Sequence, residues 1–353
     1  MPRLLNTIMS KIRKSFAVLR NTHRQLRSQF SLFRRFYLWP KIFYLYFNPS
    51  YKFVPSEFFF YNFADKSFKD IAHFVSEQHK NNIIRHLNTP DAACIFNNKA
   101  LTYKYFSPYY RREILEIVPS QGAAARNAFA QFIAKRQKFV AKPLGRSLGN
   151  GFRLITRNEN DSTDSLYEEL TRVYANRSFL VEDFVVQCVE MARPHPSSIN
   201  TVRITTLLLN DRLELLHPFV RIGQGGAIVD NGGSGGIICP LDPETGRTIA
   251  ACDEHVRRYD RHPQTNLPLI GFQIPRWQEA QDLVRELAFV VPDCRYVGWD
   301  LALTDNGWIV IEGNSSGQFI GWQLTLQQGF REELTALLKE IGLDYNQISR
   351  RSA

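Results

Sequence analysis

Near the C-terminus, the order of apolar and polar residues predicts a β-hairpin. Residues 296–304 and 308–314 are rich in β-branched and aromatic side chains, and the Asp-Asn-Gly sequence at 305–307 is a turn signal. If these three residues form the loop, with the glycine in the left-handed conformation, Thr304 pairs with Trp308. This pair sets the register of the whole hairpin. Because side chains alternate between the two faces, the register decides which residues share a face.

Counting back along the hairpin places two carboxylates and one amide on the same face. Asp300 falls opposite Glu312, and Asn314 lies two residues further along the second strand. Three hard oxygen donors on a rigid scaffold suit Mg2+. The alternative is a solvated hairpin face, which the apolar neighbours Trp299 and Ile311 disfavour. We therefore predict a metal site on this hairpin.

The pattern along the rest of the chain predicts further strands and helices. Residues 61–125 are expected to form helices and short strands. Helices are predicted over 123–136, 165–174, 277–289 and 324–341. Strands are predicted over 138–142, 152–156, 178–186, 200–209 and 213–222, the last two as an antiparallel pair, with another strand after a glycine-rich loop at 230–236.

A glycine loop between two predicted strands indicates a phosphate-binding lid. Gly145, Gly149 and Gly151 lie in this loop, and glycines let backbone N–H groups approach phosphate oxygens closely. Lys142 ends the preceding strand, where its ammonium can reach a nucleotide phosphate. The loop is not a Walker A motif, because no Gly-Lys-Ser/Thr sequence follows. The alternative is an ordinary glycine hairpin with an exposed lysine.

Charge is concentrated at the N-terminus. The first 60 residues hold eleven of the 44 basic residues and only one of the 34 acidic residues, Glu57, which accounts for the whole net charge of +10. Helical spacing of Leu26, Phe30, Phe33 and Tyr37 predicts an amphipathic helix. We favour its packing on the main domain over contact with an anionic membrane surface. Nucleic acid is the least favoured partner, since no recognised binding module accompanies the charge.

The cysteines and the hydropathy bound the environment of the protein. Five scattered cysteines form no Cys-x-x-Cys pair, so we expect neither a disulfide framework nor a zinc site, and a reducing compartment fits best. The sequence suggests neither a signal peptide nor a membrane-spanning segment. The expectation is a cytoplasmic protein, with a peripheral position at the inner face of the membrane as the alternative.

Four elements in this order resemble the ATP-grasp superfamily. They are Lys142 before its glycine loop, the Glu-x-x-Val strand at 181–185, the arginine strand at 200–204, and the hairpin with Asp300 and Glu312-x-Asn314. Within that superfamily, residues 195–203, the Asp230-Asn231 glycine loop and residues 262–275 resemble the sugar-transfer-associated group. One departure is the absence of a proline after Asn314, where many relatives have one.

The resemblance implies an α/β (α+β) protein with the ATP-grasp fold, in which two antiparallel-sheet subdomains clamp ATP. Residues 1–60 would then be a basic, aromatic helical extension and residues 61–125 a region that precedes the ATP-grasp core. Residues 126–190 would form the lid subdomain with the glycine loop and the hinge. Residues 191–345 would form the C-terminal subdomain with the metal site.

The resemblance also implies roles for individual residues. It implies nucleotide contacts for Lys99, Lys142, Gly145, Gly149, Gly151, Glu182, Asp183, Phe184, Val185, Glu190, Asp230 and Asn231. Within this set the hinge at 182–185 would contact the adenine, Glu190 the ribose, and the lysines the phosphates. The implied metal ligands are Asp300, Glu312 and Asn314, and the implied catalytic residues are Arg203, Arg221 and Asn200. The alternatives are strand residues paired with acids for Asn200 and Arg203, and turn residues for Asp230 and Asn231.

The activity implied by the resemblance is ATP-dependent ligation of a carboxylate to an amine through an acylphosphate, in glycan or cell-envelope polysaccharide modification. The implied cofactors are ATP and Mg2+, with Mn2+ as the alternative metal, and the implied partner is a small-molecule or glycan-linked carboxylate or amine. One rival is a kinase that phosphorylates a hydroxyl. The other is a non-catalytic protein that docks on membrane or glycan machinery through residues 1–60.

Overall fold

The computed structural model describes residues 17–144, 151–158, 161–226 and 235–350. They form two compact units. One contains the described residues up to Ile83 together with those from Gln327 onward, and the other runs from Ile84 to Leu326. The four-part division expected from the sequence stays a prediction.

The first unit is helical. In chain order it contains α1 (17–29), α2 (Leu32–Phe47), α3 (Pro55–Phe60), α4 (Phe68–Ile71) and most of α5 (Glu77–Leu87). The second unit adds α6 (Pro90–Asn97), α7 (Lys99–Tyr110), α8 (Ala123–Ile133), α9 (Thr163–Val173), α10 (Val189–Ala192), α11 (Trp277–Ala288) and α12 (Ile320–Leu326). The chain ends with α13 (Arg331–Glu340) and α14 (Tyr345–Arg350), which belong to the first unit.

The second unit contains two antiparallel sheets. The strands are β1 (Ile114–Ile117), β2 (Lys138–Pro143), β3 (Arg153–Thr156), β4 (Phe179–Asp183), β5 (Val202–Leu208), β6 (Leu213–Ile222), β7 (Ile237–Pro240), β8 (Tyr296–Thr304) and β9 (Gly307–Asn314). The smaller sheet has the order β1-β4-β2-β3, and the larger has the order β7-β6-β5-β8-β9. This mixed α/β architecture confirms the predicted fold class.

Each sheet has its own hydrophobic core. Phe129 of α8 and Leu170 of α9 are buried against the small sheet, where Phe139 and Phe179 project from β2 and β4. The large sheet is covered by α11, whose residues Trp277, Ala280, Val284 and Leu287 recur at helical spacing. The candidate site is formed by polar side chains on the strands of these two sheets.

The C-terminal hairpin reaches the predicted register by a different route. The predicted three-residue loop was wrong, because Thr304 pairs with Gly307 and only Asp305 and Asn306 form the turn. This shorter loop shifts the pairing by one residue. A β-bulge at Ile311 shifts it back, so that Asp300 lies opposite Glu312 as predicted.

Two predicted helices are interrupted. The amphipathic helix through residues 26–37 was wrong as one element, because α1 ends before Phe30 and α2 begins after Ser31, which caps it through its hydroxyl. The helix predicted over 324–341 is divided between α12 and α13. Gln327 has a φ of 56° between them, a conformation that a continuous α-helix does not allow.

Within the described ranges, no helix has both the length and the hydropathy needed to cross a membrane.

A carboxyl group is buried in the first unit. The side chain of Glu57 accepts hydrogen bonds from the backbone N–H groups of Val54 (2.7 Å) and Glu77 (2.9 Å). Burial raises the pKa of Glu57 to about 8, although the two hydrogen bonds act in the opposite direction. The folded protein therefore keeps a proton on Glu57 at pH values at which the unfolded chain has lost it.

We predict that the free energy of unfolding falls as the pH rises from about 5 to about 8, by on the order of 4 kcal/mol from this group alone. The stabilisation is complete below the unfolded-state pKa and is lost as the pH passes the raised folded-state pKa. Glu57→Gln, which cannot ionise, should lose this dependence in denaturant titrations at several pH values. The exposed Glu332→Gln is the control, and an unchanged pH dependence in Glu57→Gln would contradict the prediction.

Candidate functional site

A buried carboxylate held by two arginines lies at the centre of the large sheet. Asp300 on β8 is paired with Arg203 on β5, whose guanidinium donates to both carboxylate oxygens, Nε to Oδ1 at 2.5 Å and Nη2 to Oδ2 at 2.8 Å. Arg221 on β6 adds a third contact, 2.9 Å from Nη2 to Oδ2. Burial alone would raise the pKa of Asp300, but the two arginines hold it below its usual value. Asp300 is therefore an anion inside the sheet.

Two glycines make room for the Arg203 side chain. A Cβ at Gly298 would lie 3.1 Å from Arg203 Nη1 and 3.3 Å from the Gly317 Cα. The guanidinium therefore passes over two positions that have no side chain. This close approach explains why glycine occupies residue 298 in the middle of a strand.

Glu312 and Asn314 lie on the strand opposite Asp300. Glu312 is paired with Asp300 and Asn314 with Gly298, and both side chains are partly exposed. The Glu312 carboxylate accepts a hydrogen bond from Lys99 Nζ at 2.8 Å. Lys99 begins α7, which Asn98 caps through its side-chain oxygen. The cap thus fixes the point on the chain from which Lys99 reaches the hairpin.

The donor set on this hairpin fits a hard divalent cation. Glu312 and Asn314 offer partly exposed oxygens, as Mg2+ requires when it also keeps water and phosphate ligands. Asp300 has about four lone-pair positions, of which three accept hydrogen bonds from the arginines, so one remains on Oδ1. The set holds only two carboxylates, and the described residues contain no group of three or more His, Cys, Asp or Glu side chains placed to hold a metal. Asn314 is thus needed as the third donor.

A second buried carboxylate organises the small sheet. Glu182 on β4 binds Lys142 Nζ at 2.7 Å through Oε1, and Arg112 through Oε2, 3.1 Å from Nη2. Burial alone would raise the pKa of Glu182, but Lys142 and Arg112 keep it below its usual value. The pKa of Lys142 is lowered by burial and by the nearby Arg112, although Glu182 opposes this. One anion thus serves two cations.

Arg112 connects this cluster to the hairpin. Its Nη1 donates to the carbonyl of Val310 at 2.6 Å, and its guanidinium stacks on the ring of Tyr110 at 4.9 Å. Val310 immediately precedes the bulged residue Ile311. Sequence reasoning missed Arg112, because an arginine between a helix and a short strand carries no local signal of a partner 198 residues away.

Two lysines and one carboxylate line a small pocket beside the hairpin. Lys99, Lys142, Ile311 and Glu312 line it together with residues from α6, α7, β1 and β4. The ion pairs of the two lysines, and those of Asp300 opposite Glu312 on the hairpin, together contain five cations and three carboxylates. The cations are Lys99, Lys142, Arg112, Arg203 and Arg221, and the carboxylates are Glu182, Glu312 and Asp300. The excess of positive charge suits a polyanion such as a nucleotide phosphate chain.

The segment that follows β4 offers backbone donors. The N–H of Asp183 donates to the Glu113 carbonyl at 3.0 Å, and its side chain accepts from Arg136. In the described part of the chain, no hydrogen bond uses the N–H of Phe184 or Val185. The Phe184 ring lies 3.8 Å from Lys138 Nζ. These two amides are therefore available to a ligand.

The remaining predicted residues have different environments. The buried Asn200 side chain donates to the carbonyls of Met191 (2.7 Å) and His195 (3.1 Å) and accepts from Gly223 N–H, so it organises a loop. Glu190 is exposed in the first turn of α10. Gly151 has a φ of 86°, which favours glycine. Four predicted residues lie outside the described ranges: Gly145, Gly149, Asp230 and Asn231.

A sequence model of the sugar-transfer associated ATP-grasp family matches residues 78–339. The chain belongs to this family, and its two antiparallel sheets are those of an ATP-grasp fold. Members of the ATP-grasp superfamily are mostly ATP-dependent ligases. The family predicted from the sequence is thus confirmed.

Several solved structures are similar to this chain at low sequence identity. The ATP-grasp ligase PsnB, complexed with a minimal precursor, Mg and ADP, has a TM-score of 0.43 and 14% identity, over 73% of this chain and 62% of that chain. The D-alanine–D-alanine ligase from Helicobacter pylori has a TM-score of 0.45 and 10% identity, over 79% and 71%. This chain therefore spans less than two thirds of the length of PsnB. No curated protein matches the chain in sequence.

We predict that Glu182→Gln destabilises the protein by about 3 kcal/mol, because it leaves two buried cations without an anionic partner. The exposed Glu168→Gln, which loses a surface contact with Arg126, should cost less than about 1 kcal/mol. Denaturant unfolding measures both. Equal stability of the two variants would show that Glu182 does not organise the cluster.

Proposed function

We propose that this protein is an ATP-dependent ligase that joins a carboxylate to an amine through an acylphosphate intermediate. The observation that carries the proposal is the set of five cationic side chains paired with Glu182, Glu312 and Asp300, two of which, Lys99 and Lys142, line the pocket. The excess of two positive charges in this set balances a triphosphate that carries one Mg2+. Membership of a superfamily composed mostly of ligases supports the reaction class.

In this proposal the nucleotide binds between the hinge and the hairpin. The N–H groups of Phe184 and Val185 would donate hydrogen bonds to the adenine edge, and the exposed Glu190 would contact the ribose. Lys99 and Lys142 contact the phosphates, each leaving or sharing its present carboxylate partner. The glycine loops with Gly145, Gly149 and Gly151, and with Asp230 and Asn231, would cover the phosphates and the acceptor. The support for these two loops is their sequence.

Glu312, Asn314 and Asp300 would hold Mg2+, with Mn2+ as the alternative metal. When bound, the ion neutralises phosphate charge and polarises the terminal phosphate. Arg203 and Arg221 would orient the transferring phosphoryl group, because a guanidinium fork held rigidly by Asp300 needs no reorganisation when charge develops on the phosphate oxygens.

The reaction then needs little covalent chemistry from the protein. A substrate carboxylate oxygen attacks the γ-phosphorus, the bond to the β-phosphate oxygen breaks, and ADP leaves. An amine next attacks the acyl carbon, and inorganic phosphate departs as the amide forms. Positioning and charge stabilisation carry catalysis in such phosphoryl transfers, so the absence of a Ser-His-Asp arrangement from the predicted catalytic set is no obstacle.

The proposed substrate class is a carboxyl- or amine-bearing sugar derivative from the synthesis of cell-envelope polysaccharides. Its support is the description of the family as associated with sugar transfer. A cytoplasmic location fits the same proposal, because ATP and activated sugar precursors meet there.

We predict that candidate carboxylate and amine pairs, supplied with ATP and Mg2+, release ADP and free phosphate in equal amounts together with an amide. Glu312→Gln and Asp300→Asn should each lower kcat by at least about 100-fold, because each weakens charge stabilisation at the terminal phosphate. Glu168→Gln, on an exposed helix face, should retain full activity.

Two results would contradict this proposal. Full turnover in Glu312→Gln and Asp300→Asn would remove the hairpin from the reaction. A stable phosphorylated product without free phosphate would identify a kinase in place of a ligase. Mass analysis of the product separates these cases.

A further inference from the structure

A contiguous and largely exposed face of apolar and aromatic residues runs along α2. Leu38, Ile42 and Leu45 of this helix are buried, which fixes the helix orientation. At about 100° per residue, the exposed residues that follow occupy a contiguous arc of about 140° without a single polar position. They are Leu32, Phe33, Phe36, Tyr37, Pro40, Phe43, Tyr44 and Phe47.

These side chains are substantially exposed. The relative exposures of the aromatic members lie between 43% and 72%, with Phe33 and Phe36 highest. The sequence favoured packing for the aromatic residues, but much of their surface faces outward. A contiguous aromatic face of this extent indicates an interaction surface, because single exposed apolar residues would be scattered.

The preceding helix carries uncompensated positive charge. Arg20, Arg24 and Arg27 on α1 are exposed at a spacing of four and three residues, so they form one stripe. Within the described residues, none of the three has an acidic partner. The sequence contains no Asp or Glu before Glu57, so nothing in this segment offsets the stripe.

The basic residues next to the aromatic arc are already engaged. Arg34 forms an ion pair with Asp65, and Lys41 donates to the carbonyls of Phe63 and Lys66, both at 2.6 Å. The charge that is free to meet a partner therefore comes from α1. The apolar surface comes from α2.

We propose that α2 lies in the surface of an anionic lipid bilayer, with its aromatic arc inserted and the α1 arginine stripe on the lipid headgroups. Aromatic rings prefer the membrane interface, and arginines gain from anionic lipids. A second copy of the chain fits less well, because it carries the same uncompensated positive charge, whereas an anionic lipid surface carries the opposite charge.

Co-sedimentation of the full chain with vesicles tests the proposal. The vesicles are phosphatidylcholine alone, or phosphatidylcholine mixed with phosphatidylglycerol. We expect binding to the mixed vesicles that weakens with salt. Phe33→Ser, Phe36→Ser and Phe47→Ser combined should lower the partition coefficient by at least about 100-fold, because apolar burial is lost. Combined Arg20→Gln, Arg24→Gln and Arg27→Gln should lower it by about 100-fold on anionic vesicles only.

Matched controls use exposed residues of the second unit. Two control variants should bind as the parent does. One combines Ile249→Ser, Ile270→Ser and Phe289→Ser, and the other combines Arg172→Gln, Arg177→Gln and Arg285→Gln. Thermal unfolding checks that every variant folds. No binding of the parent to anionic vesicles would overturn the proposal, as would aromatic variants that bind like their controls. A dimer dissolved by the aromatic substitutions, without vesicle binding, would assign the face to a second copy.

Discussion

The arrangement of the site depends on the charge of Asp300, which is buried within a five-stranded sheet. A carboxylate there is tolerated because two arginines bind it: Arg203 from β5, which lies beside β8, and Arg221 from β6, the next strand of the sheet. The same contacts fix both guanidinium groups, which would otherwise sample many rotamers. The glycines at 298 and 317 leave the space that Arg203 needs. The same contacts thus determine both the packing of the sheet and the orientation of the proposed catalytic cations.

Glu182 is a buried anion that fixes two cations at the small sheet, as Asp300 does at the large one. It holds Lys142 at the end of the strand that leads into the glycine loop, and it holds Arg112, which donates to the carbonyl of Val310 on the hairpin. Arg112 therefore links β4 of the small sheet to β9 of the large one. In the proposed function, a nucleotide would compete with the carboxylates for Lys142 and Lys99, so binding exchanges one anionic partner for another at little cost in desolvation.

Much of this organisation was predictable from local pattern. The strands, the family and the pairing of Asp300 with Glu312 follow from alternation, turn residues and an ordered set of motifs. The loop length was not predictable, because the bulge at Ile311 compensates for a shorter turn. A bulge depends on packing that no local residue pattern specifies. The role of Arg112 could not be predicted for a similar reason, since its partners come from β4 and β9, which are distant in the sequence. The helix α2 packs through three buried residues, in line with the favoured expectation, but most of its aromatic side chains remain exposed, which the sequence pattern did not predict.

The central claim is that the cations around Glu312 receive the phosphates of a nucleotide. The most direct test is calorimetric titration of the protein with adenosine and with a non-hydrolysable ATP analogue plus Mg2+. Lys142→Met should weaken binding of the analogue by at least about tenfold, because a charge-assisted phosphate contact is lost, and leave adenosine binding unchanged. Lys135→Met, at an exposed position after α8, is the matched control. Equal affinity of the parent and Lys142→Met for the ATP analogue would contradict the account.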